Sequence, residues 1–255
     1  MSGWIGTLGA LSEVLWKVSL SESTPTRFTF QQAAGRRWAF LTSPSPRRSW
    51  NVEVKGTQED TRALTQLAHA APAEPLVWVS EHAALTNVLT PPESLLVGVS
   101  NAGAMVTSDG SIAPASVTVP TRLVVAERVP VHPGKPFSAA VEVSGLRAVL
   151  GVQLYNDAGR VVGNLITATA NSESTQRLVA TISEVPATAA WATLTVGGGR
   201  FTRPSAAWTK TAAPWDVGMG ATAVVVDGVE TTFEDVHHAT GAVWRSVSAK
   251  IEEVG

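Results

Sequence analysis

From Leu123 onward the chain consists of short runs of alternating apolar and polar residues, separated by Gly, Pro, Asn and Asp. Such alternation places successive side chains on opposite faces of a β-strand. No part of this region has helical spacing over three turns, so the pattern favours an antiparallel sandwich or jelly roll over a βαβ fold. The clearest predicted strands are Leu123–Val129, Phe137–Val143, Ala148–Tyr155, Arg177–Ser183 and Trp191–Val196.

The first third of the chain contains two further strand patterns with one helix between them. Trp50–Val54 alternates apolar and polar residues, and Pro75–Ser80 is rich in β-branched and aromatic residues. Between them, Thr57 is a suitable N-cap, and apolar residues recur at helical spacing until Pro72 ends the pattern. The sequence therefore predicts a mainly β protein with one helix at about residues 57–71.

The stretch NVLTPPES, at residues 87–94, is predicted to be a stiff, extended connector, because each proline fixes its own φ and disfavours helix in the residue before it. We therefore expect a β-rich domain with one helix at residues 1–93 and a jelly roll at residues 94–215. Residues 216–255 carry the last strands, with Asp227-Gly228 as a hairpin start. Val243–Ile251 alternates as Trp50–Val54 does, which favours a return to the first domain; completion of the sandwich is the alternative.

Composition and charge exclude several classes of function. The net charge is -2 and no long basic run is present, so nucleic acid is an unfavourable partner. Without cysteine there are no disulfides, thiolate nucleophiles or Cys-ligated zinc sites. The N-terminal stretch lacks a basic start and contains Glu13, unlike a signal peptide, and no run approaches the roughly 18 apolar residues that span a bilayer. We expect a protein without membrane insertion.

The sequence nominates no catalytic, metal or cofactor site. FEDVHH, at residues 233–238, has metal-ligand residue types, but adjacent histidines on an extended chain point in opposite directions, which favours a polar loop. VGGGRF, at residues 196–201, lacks the Lys-Ser or Lys-Thr of a phosphate loop. No G-x-S-x-G elbow or Ser, His, Asp order is present. Paired carboxylates for glycoside hydrolysis remain an alternative, although no local pattern nominates them.

Nine tryptophans against one tyrosine are the most unusual feature of the composition. Tryptophan is favoured both in cores and in subunit interfaces, and for any one ring the core is the better expectation. Trp4, Trp16 and Trp38 crowd the first domain and are candidates for an oligomer interface. Trp208 and Trp215 lie in an irregular stretch of low charge and are expected to be exposed in a contact.

Two stretches have a familiar pattern: the first runs from RRSWNVEVKG through the ALTQLA helix and an aromatic strand to the exit at Asn87, Leu89, Thr90 and Pro91, and the second is RSVSAKIEEVG. The first resembles the N-terminal domain, and the second the closing strand, of minor tail proteins of long-tailed, siphovirus-type bacteriophages that infect actinobacteria. Such proteins are similar in role to distal tail proteins, which form rings between the tail tube and the tip. The resemblance implies a virion protein assembled in the host cytoplasm as a homo-oligomeric ring, hexameric or trimeric, in contact with the tail tube and other tail-tip proteins.

The middle of the chain resembles the jelly rolls of carbohydrate-binding modules in Pro133-Gly134, LGVQLYNDAGRVV and Pro186-Ala187. Such modules hold sugar rings against flat aromatic faces beside polar side chains. The candidate ligand-binding residues are Tyr155 with Gln153, or Trp208 and Trp215. Tyr155 lies off the core-facing stripe but directly before the NDAG turn. At this position the pattern favours a structural role, in which the ring covers the end of the hairpin, over sugar binding.

These patterns predict a non-enzymatic structural component of a phage tail tip or baseplate, which displays a jelly roll that contacts the host surface. A carbohydrate-binding adsorption module that recognises host cell-wall glycans is the alternative, and a cell-wall hydrolase has the least support.

Overall fold

The structure is a computed structural model that describes residues 2–15, 19–23, 28–33, 36–41, 47–69, 75–97, 99, 105–106, 112–113, 115–237 and 242–254. At residues 15, 19–23, 28–33, 36–41, 63, 68–69, 105–106, 112–113, 237 and 242 only the backbone is described. The first strands and helices are β1 (Ser2–Thr7), β2 (Ala10–Leu15), β3 (Ser19–Ser23), β4 (Phe28–Ala33), β5 (Arg36–Leu41), β6 (Ser49–Thr57), α1 (Gln58–His69), β7 (Leu76–Ser80), α2 (Glu81–Leu85) and α3 (Pro91–Ser94). They are followed by β8 (Met105–Val106), β9 (Ile112–Ala113), β10 (Val117–Val119), β11 (Leu123–Pro130), β12 (Phe137–Ser144), β13 (Val149–Tyr155), β14 (Val161–Thr169), β15 (Gln176–Ile182), β16 (Trp191–Gly197), β17 (Gly199–Ala207), β18 (Ala221–His237) and β19 (Ala242–Glu253).

The chain forms two compact units, each built from separate segments. The first unit contains residues 1–2, 13–76 and 223–255, and the second contains residues 3–12 and 77–222. These units divide the chain at other positions than the predicted domains 1–93, 94–215 and 216–255, which stay predictions.

The first unit is an antiparallel sheet with one long helix. Strands β18, β19, β6 and β3 are neighbours in that order, and β19 pairs with β6 from Trp244 opposite Thr57 to Glu252 opposite Ser49. Alternate residues of β6 and β19 are buried, as their pattern dictates, and α1 packs against both strands. The core of this unit includes Trp50, Val52, Val54, Leu64, Val247, Ala249 and Ile251.

The predicted helix is present as α1, and the pattern that starts it is a reciprocal cap. The Asp60 carboxylate accepts hydrogen bonds from the backbone N–H and the hydroxyl of Thr57, at 2.8 and 2.9 Å. These hydrogen bonds give partners to the polar groups of Thr57 at the helix N-terminus, where the backbone N–H groups have no partner within the helix. The last two residues of the predicted range, 70 and 71, lie outside the described residues.

The prediction of an extended connector at residues 87–94 was wrong, because a short helix begins there. Pro91 occupies the first helical position of α3, where its missing N–H costs no hydrogen bond. The Glu93 carboxylate accepts from the backbone N–H and hydroxyl of Thr90, at 2.9 and 2.8 Å, and completes a capping box. The short helix α2 was also missed; the Ser80 hydroxyl caps it by accepting from the N–H of Ala83. Both helices are too short to give a periodic signal.

The second unit contains the predicted antiparallel β-sandwich. One four-stranded sheet has the order β10-β17-β12-β15 and the other β11-β16-β13-β14, so the chain passes between sheets in the order of a jelly roll. The inward residues of both sheets form one hydrophobic core, with Phe137, Leu150, Leu194 and Phe201 among its largest members. The mainly β fold class is confirmed. The sequence pattern did not find β14, whose exposed side chains obscure its alternation, or β17, which contains a proline.

Asp227-Gly228 does not start a hairpin, contrary to prediction. β18 continues through it to His237, and the register with β19 shifts between Asp227 and Glu230. Gly228 has a φ of 58°, so it supplies the left-handed residue that a bulge accepts without steric cost. The predicted polar loop at residues 233–238 is likewise the end of a strand as far as residue 237.

Candidate ligand-binding face

The most promising surface in the second unit is the side of the sheet β11-β16-β13-β14 that faces away from the sandwich core; we call it the outer face. Leu150, Val152 and Leu154 of β13 point into the core, so Gln153 and Tyr155 point to the outer face. In β16, Trp191, Thr193 and Thr195 alternate in the same way with buried Ala192, Leu194 and Val196.

At one end of the outer face two aromatic rings stack on each other. Tyr155 pairs in register with Trp191, and the ring centroids are 4.2 Å apart with 12° between the planes. Each ring covers one face of the other, and both side chains remain half-buried. The backbone carbonyl of Tyr155 also accepts a hydrogen bond from the N–H of Ala190, at 2.7 Å, which holds the start of β16 against the hairpin. The pair is therefore both a cross-strand contact and a partly accessible aromatic surface.

Beside this stack lies a pair of polar side chains that are almost fully buried. Gln153 and Thr193 face each other across the two strands, and each is 9% exposed. The amide nitrogen of Gln153 donates to the backbone carbonyl of Leu154 at 3.2 Å. Its Oε1 atom and the Thr193 hydroxyl have no hydrogen-bond partner among the described residues.

A glycine shapes the next position along the outer face. A Cβ atom at Gly151 would lie 2.7 Å from Thr195 Oγ1 and 3.4 Å from Leu165 Cδ1. The Leu165 side chain of β14 therefore leans over the glycine and covers this part of β13. The outer-face positions of β13, β14 and β16 carry no charged side chain. In β11, the exposed Glu127 and Arg128 lie opposite Thr193 at a bulge between Ala126 and Val129.

The structure brings Tyr155 and Gln153 together, but it does not bring Trp208 to them. Trp208 is 4% exposed, and its indole N–H donates to the carbonyl of Pro130 at 3.0 Å. The ring stacks edge-on against Trp4, with centroids 5.0 Å apart, and Lys135 Nζ lies 3.9 Å from the Trp4 centroid. The expectation that Trp208 is exposed in a contact is therefore replaced by a place in the core. Trp4 is 3% exposed, and its predicted role in an oligomer interface stays a prediction.

Trp215 is half-buried above the outward side of the other sheet. Its indole N–H donates to the carbonyl of Pro204 at 3.2 Å, and the Arg203 guanidinium lies 5.9 Å from the ring centroid. Arg203 is held by the Glu142 carboxylate, with Nη1 at 3.1 Å from both oxygens. Trp215 thus helps to fasten the segment after β17, away from Tyr155 and Gln153.

The other interface candidates lie beyond what the structure describes. Trp16 is outside the described residues, and for Trp38 only the backbone, in β5, is described. Their predicted role in an oligomer interface stays a prediction.

A different apolar surface occurs at the end of the β18–β19 hairpin in the first unit. Phe233 is 74% exposed, Val236 45% and Trp244 38%. Lys55 of β6 anchors this region through a 2.7 Å ion pair with Glu234, whose carboxylate raises the pKa of the lysine. Sequence alternation alone does not identify this surface, because bulges change the side of β18 on which residues point.

Among the described residues there is no group of three or more His, Asp or Glu side chains that could hold a metal ion. In the same part of the chain, no helix has the length and apolar character needed to cross a membrane.

Comparisons with known proteins add little. No family model and no curated protein matches the chain. Among solved structures, the chain is similar to the enzymatically active domain of tailspike protein 4 from bacteriophage CBA120, with a TM-score of 0.27 and 8% identity. The match covers 74% of this chain and 19% of that chain. Structures this distant do not share a fold from which a function can be transferred.

The residues that sequence reasoning missed on the outer face are Trp191 and Thr193. Their signal was present in the sequence, because WATLT alternates in the same way as the VQLY that contains Gln153 and Tyr155. What the sequence did not reveal is the pairing of these two strands.

Proposed function

We propose that the chain is a structural component of a bacteriophage tail tip or baseplate. In this proposal it forms a homo-oligomeric ring or collar at the distal end of the tail tube and displays its jelly roll toward the host surface. The support is the resemblance of the RRSWNVEVKG and RSVSAKIEEVG regions to minor tail proteins. The structural observation that carries the oligomer is the exposed apolar end of the β18–β19 hairpin.

Contact of apolar aromatic surface with water is unfavourable in free energy, and association of copies removes that contact. Phe233 and Trp244 are among the residue types that contribute most to binding energy in interfaces. Phe233 pairs with Arg245 and Val236 with Val243, so Phe233 and Val236 lie on one face of the two strands and can enter one contact together. Trp244 lies on the other face. A ring built on the same contact in every copy buries Phe233 and Val236.

The test is the molar mass of the full chain by light scattering at about 100 µM, a concentration that favours weak association by mass action. The wild-type chain is expected to be a trimer or hexamer, and Val236→Ser together with Phe233→Ser is expected to give monomer. Val179→Ser is the control for Val236→Ser, because this valine of β15 has a similar exposure, 41% against 45%. A monomeric wild-type chain, or equal loss of mass in the control, overturns the proposal.

A second candidate function, carbohydrate binding during host adsorption, is favoured by the Tyr155–Trp191 stack beside Gln153 and Thr193. Sugar rings pack their C–H groups on aromatic faces while neighbouring polar groups bind the hydroxyls. Purified chain is expected to bind host cell walls, and Tyr155→Ala is expected to weaken that binding, whereas Val179→Ser leaves it unchanged. Cell walls that retain no wild-type protein would end this candidate.

A further inference from the structure

We infer that one end of the jelly roll binds an acidic polysaccharide, whose repeated carboxylate or phosphate groups contact three exposed arginines. These are Arg122, Arg147 and Arg200, and we call the surface that they form the basic end. It lies at the opposite end of the strands from Tyr155 and Trp191, so it is separate from the stacked rings. The inference rests on the proposed display of the jelly roll toward the host surface and names a ligand class for it.

The VGGGRF motif brings the three arginines to one place. A Cβ atom at Gly197 would lie 3.5 Å from Arg122 Cα, and one at Gly198 would lie 3.2 Å from the carbonyl oxygen of Arg147. Because glycine has no Cβ, the turns that carry these two arginines can approach the motif closely. Arg200 belongs to the motif itself, so three separate parts of the chain each present an arginine at this end.

The backbone at Arg147 shows that an arginine occupies this position at a cost. Its φ is 68°, in the left-handed region that glycine adopts freely and other residues disfavour. The side chain is exposed and makes no hydrogen bond or ion pair with the described residues. No contact within the described fold explains the residue, and strained positions of this kind are concentrated at functional sites.

The other two arginines are also available to a ligand. Arg122 is exposed and, like Arg147, its guanidinium has no hydrogen-bond or ion-pair partner among the described residues. Arg200 donates from Nε and Nη2 to the Ser116 hydroxyl oxygen at 3.0 and 2.8 Å, which orients its guanidinium. These bonds use only part of its hydrogen-bonding capacity, and the side chain remains exposed.

The charge balance differs between the two ends of the jelly roll. The turns before β11 and between β12 and β13, β14 and β15, and β16 and β17, taken with the start of β17, carry the three arginines and one carboxylate, Glu173. The turns at the opposite end carry two cations and two carboxylates: Lys135, Arg160, Asp157 and Glu184. Only the basic end therefore has an excess of positive charge.

The strands β10 to β17 themselves contain two carboxylates, Glu142 and Glu127. Glu142 is engaged by Arg203, whose Nη1 lies 3.1 Å from both carboxylate oxygens. Glu127 lies further along β11 from the basic end and is followed directly by Arg128. Each of the two is thus accompanied by an arginine of its own, so the excess positive charge at the basic end remains.

The chemistry of this end favours a polymer with several anionic groups. Guanidinium groups bind carboxylate and phosphate through paired hydrogen bonds. Arg122 precedes a strand of one sheet and Arg200 lies in the other, and packed sheets are about 10 Å apart. Anionic groups repeated along one chain can therefore meet arginines on both sheets, whereas a single small anion fits one of them.

The residue types around the arginines select a polysaccharide among anionic polymers. The turns of the basic end contain no aromatic residue, and binding of single-stranded nucleic acid uses aromatic rings for base stacking. Leu146 is the one large apolar side chain exposed in the described part of these turns, which is little surface for insertion into a membrane. An acidic polysaccharide needs neither feature.

The experiment uses three polymers with the same sugar backbone: carboxymethyl-dextran, phosphorylated dextran and unmodified dextran. Binding of the full chain is measured by titration calorimetry at low ionic strength. We expect binding to at least one charged dextran and none to unmodified dextran, and the charged dextran that binds identifies the anion. Added salt should weaken the binding, because it screens charge interactions.

The variant Arg147→Gly separates binding from folding. Glycine suits the φ of 68° at this position, so the urea midpoint should be at least that of the wild type. The dissociation constant for the charged dextran should nevertheless rise about 3- to 5-fold, and Arg122→Gln should have a similar effect. Arg160→Gln removes an exposed arginine at the opposite end; it is the matched control and should bind as the wild type does.

The contrary outcomes are distinct. Equal binding to unmodified dextran, or an equal loss of affinity in Arg160→Gln, overturns the site at the basic end. Tighter binding to single-stranded DNA than to either charged dextran overturns the ligand class. A chain that forms the expected ring but binds neither charged dextran overturns this inference and leaves the proposed function intact, whereas a monomer in light scattering overturns the proposed function.

Discussion

Removing the charge of Glu253 is expected to loosen the C-terminal strand of the first unit. The Arg48 guanidinium binds this carboxylate with two nitrogens, Nη2 to Oε1 at 3.0 Å and Nε to Oε2 at 3.2 Å. The backbone N–H of Arg48 adds a third hydrogen bond at 3.1 Å, and the N–H of Glu253 donates to the Arg48 carbonyl at 2.9 Å. The pair thus joins the start of β6 to the end of β19.

The burial of the two groups sets the size of the effect. The Arg48 side chain is 7% exposed and that of Glu253 is 22% exposed. Removing one partner of a fully buried pair costs about 3–5 kcal/mol, because the remaining charge is left without compensation. Exposed pairs contribute about 0–1 kcal/mol. Since Glu253 is partly reached by water, Glu253→Gln is expected to cost about 2 kcal/mol, between these limits.

Hydrogen exchange followed by mass spectrometry is the suitable assay, because it reports the opening of one region in a chain with two units. Glu253→Gln should lower the protection of peptides from β6 and β19 and leave the sheets of the jelly roll unchanged. Glu252→Gln is the control: this neighbouring carboxylate is 40% exposed in its pair with Lys250, so protection should stay close to that of the wild type.

The opposite result would be informative. If Glu253→Gln and Glu252→Gln have the same small effect, burial does not make the Arg48–Glu253 pair stronger than a surface pair. The prediction would also fail if the double variant Arg48→Met/Glu253→Gln lost as much stability as the two single variants added together. Two residues that act through one contact must show coupling.

Two further predictions concern the second unit. Burial raises the pKa of Glu93 above 4.5, against the opposing effect of its hydrogen bonds from Thr90. Above pH 4.5 the folded chain therefore holds a proton on Glu93 that the unfolded chain has lost. Its free energy of unfolding should fall as pH rises from 4.5 through the folded-state pKa. Urea titrations at several pH values should show this fall in the wild type and a smaller fall in Glu93→Gln. At Gly197 a Cβ atom would lie 1.9 Å from the carbonyl oxygen of Thr121. Gly197→Ala should therefore lower the free energy of unfolding by about 3 kcal/mol in the same assay. An unchanged urea midpoint would contradict this close approach.

The sequence predicted elements best where one physical signal acted alone. Strands such as Phe137–Ser144 and Trp191–Gly197 were found because alternation continues through most of their length, and α1 because its cap and apolar spacing agree. The prediction failed where two signals compete. Pro91 favours both an extended connector and the first position of a helix, and the Thr90–Glu93 cap decides for the helix. Asp227-Gly228 suits both a turn and a bulge, and pairing with β19 decides for the bulge.

At the candidate site, too, the prediction failed where a contact depends on residues that are distant in sequence. Alternation placed Gln153 and Tyr155 on the side of β13 away from the core, but Trp191 and Thr193 come from a strand nearly 40 residues later, and only pairing brings them alongside. Trp208 was expected in a contact because its surroundings are irregular and low in charge. The Pro130 carbonyl that satisfies its indole N–H, and Trp4 against its ring, come from distant parts of the chain.

The outward positions of β13, β14 and β16 carry no charged side chain, which also determines how a contact confined to them responds to salt. Screening shortens the reach of charge interactions from about 30 Å at 0.01 M to about 3 Å at 1 M ionic strength. Contacts between neutral hydrogen-bonding groups, aromatic rings and C–H groups lack this dependence. A contact confined to Gln153, Thr193 and the Tyr155–Trp191 stack would therefore keep about the same affinity in fresh water and in brine.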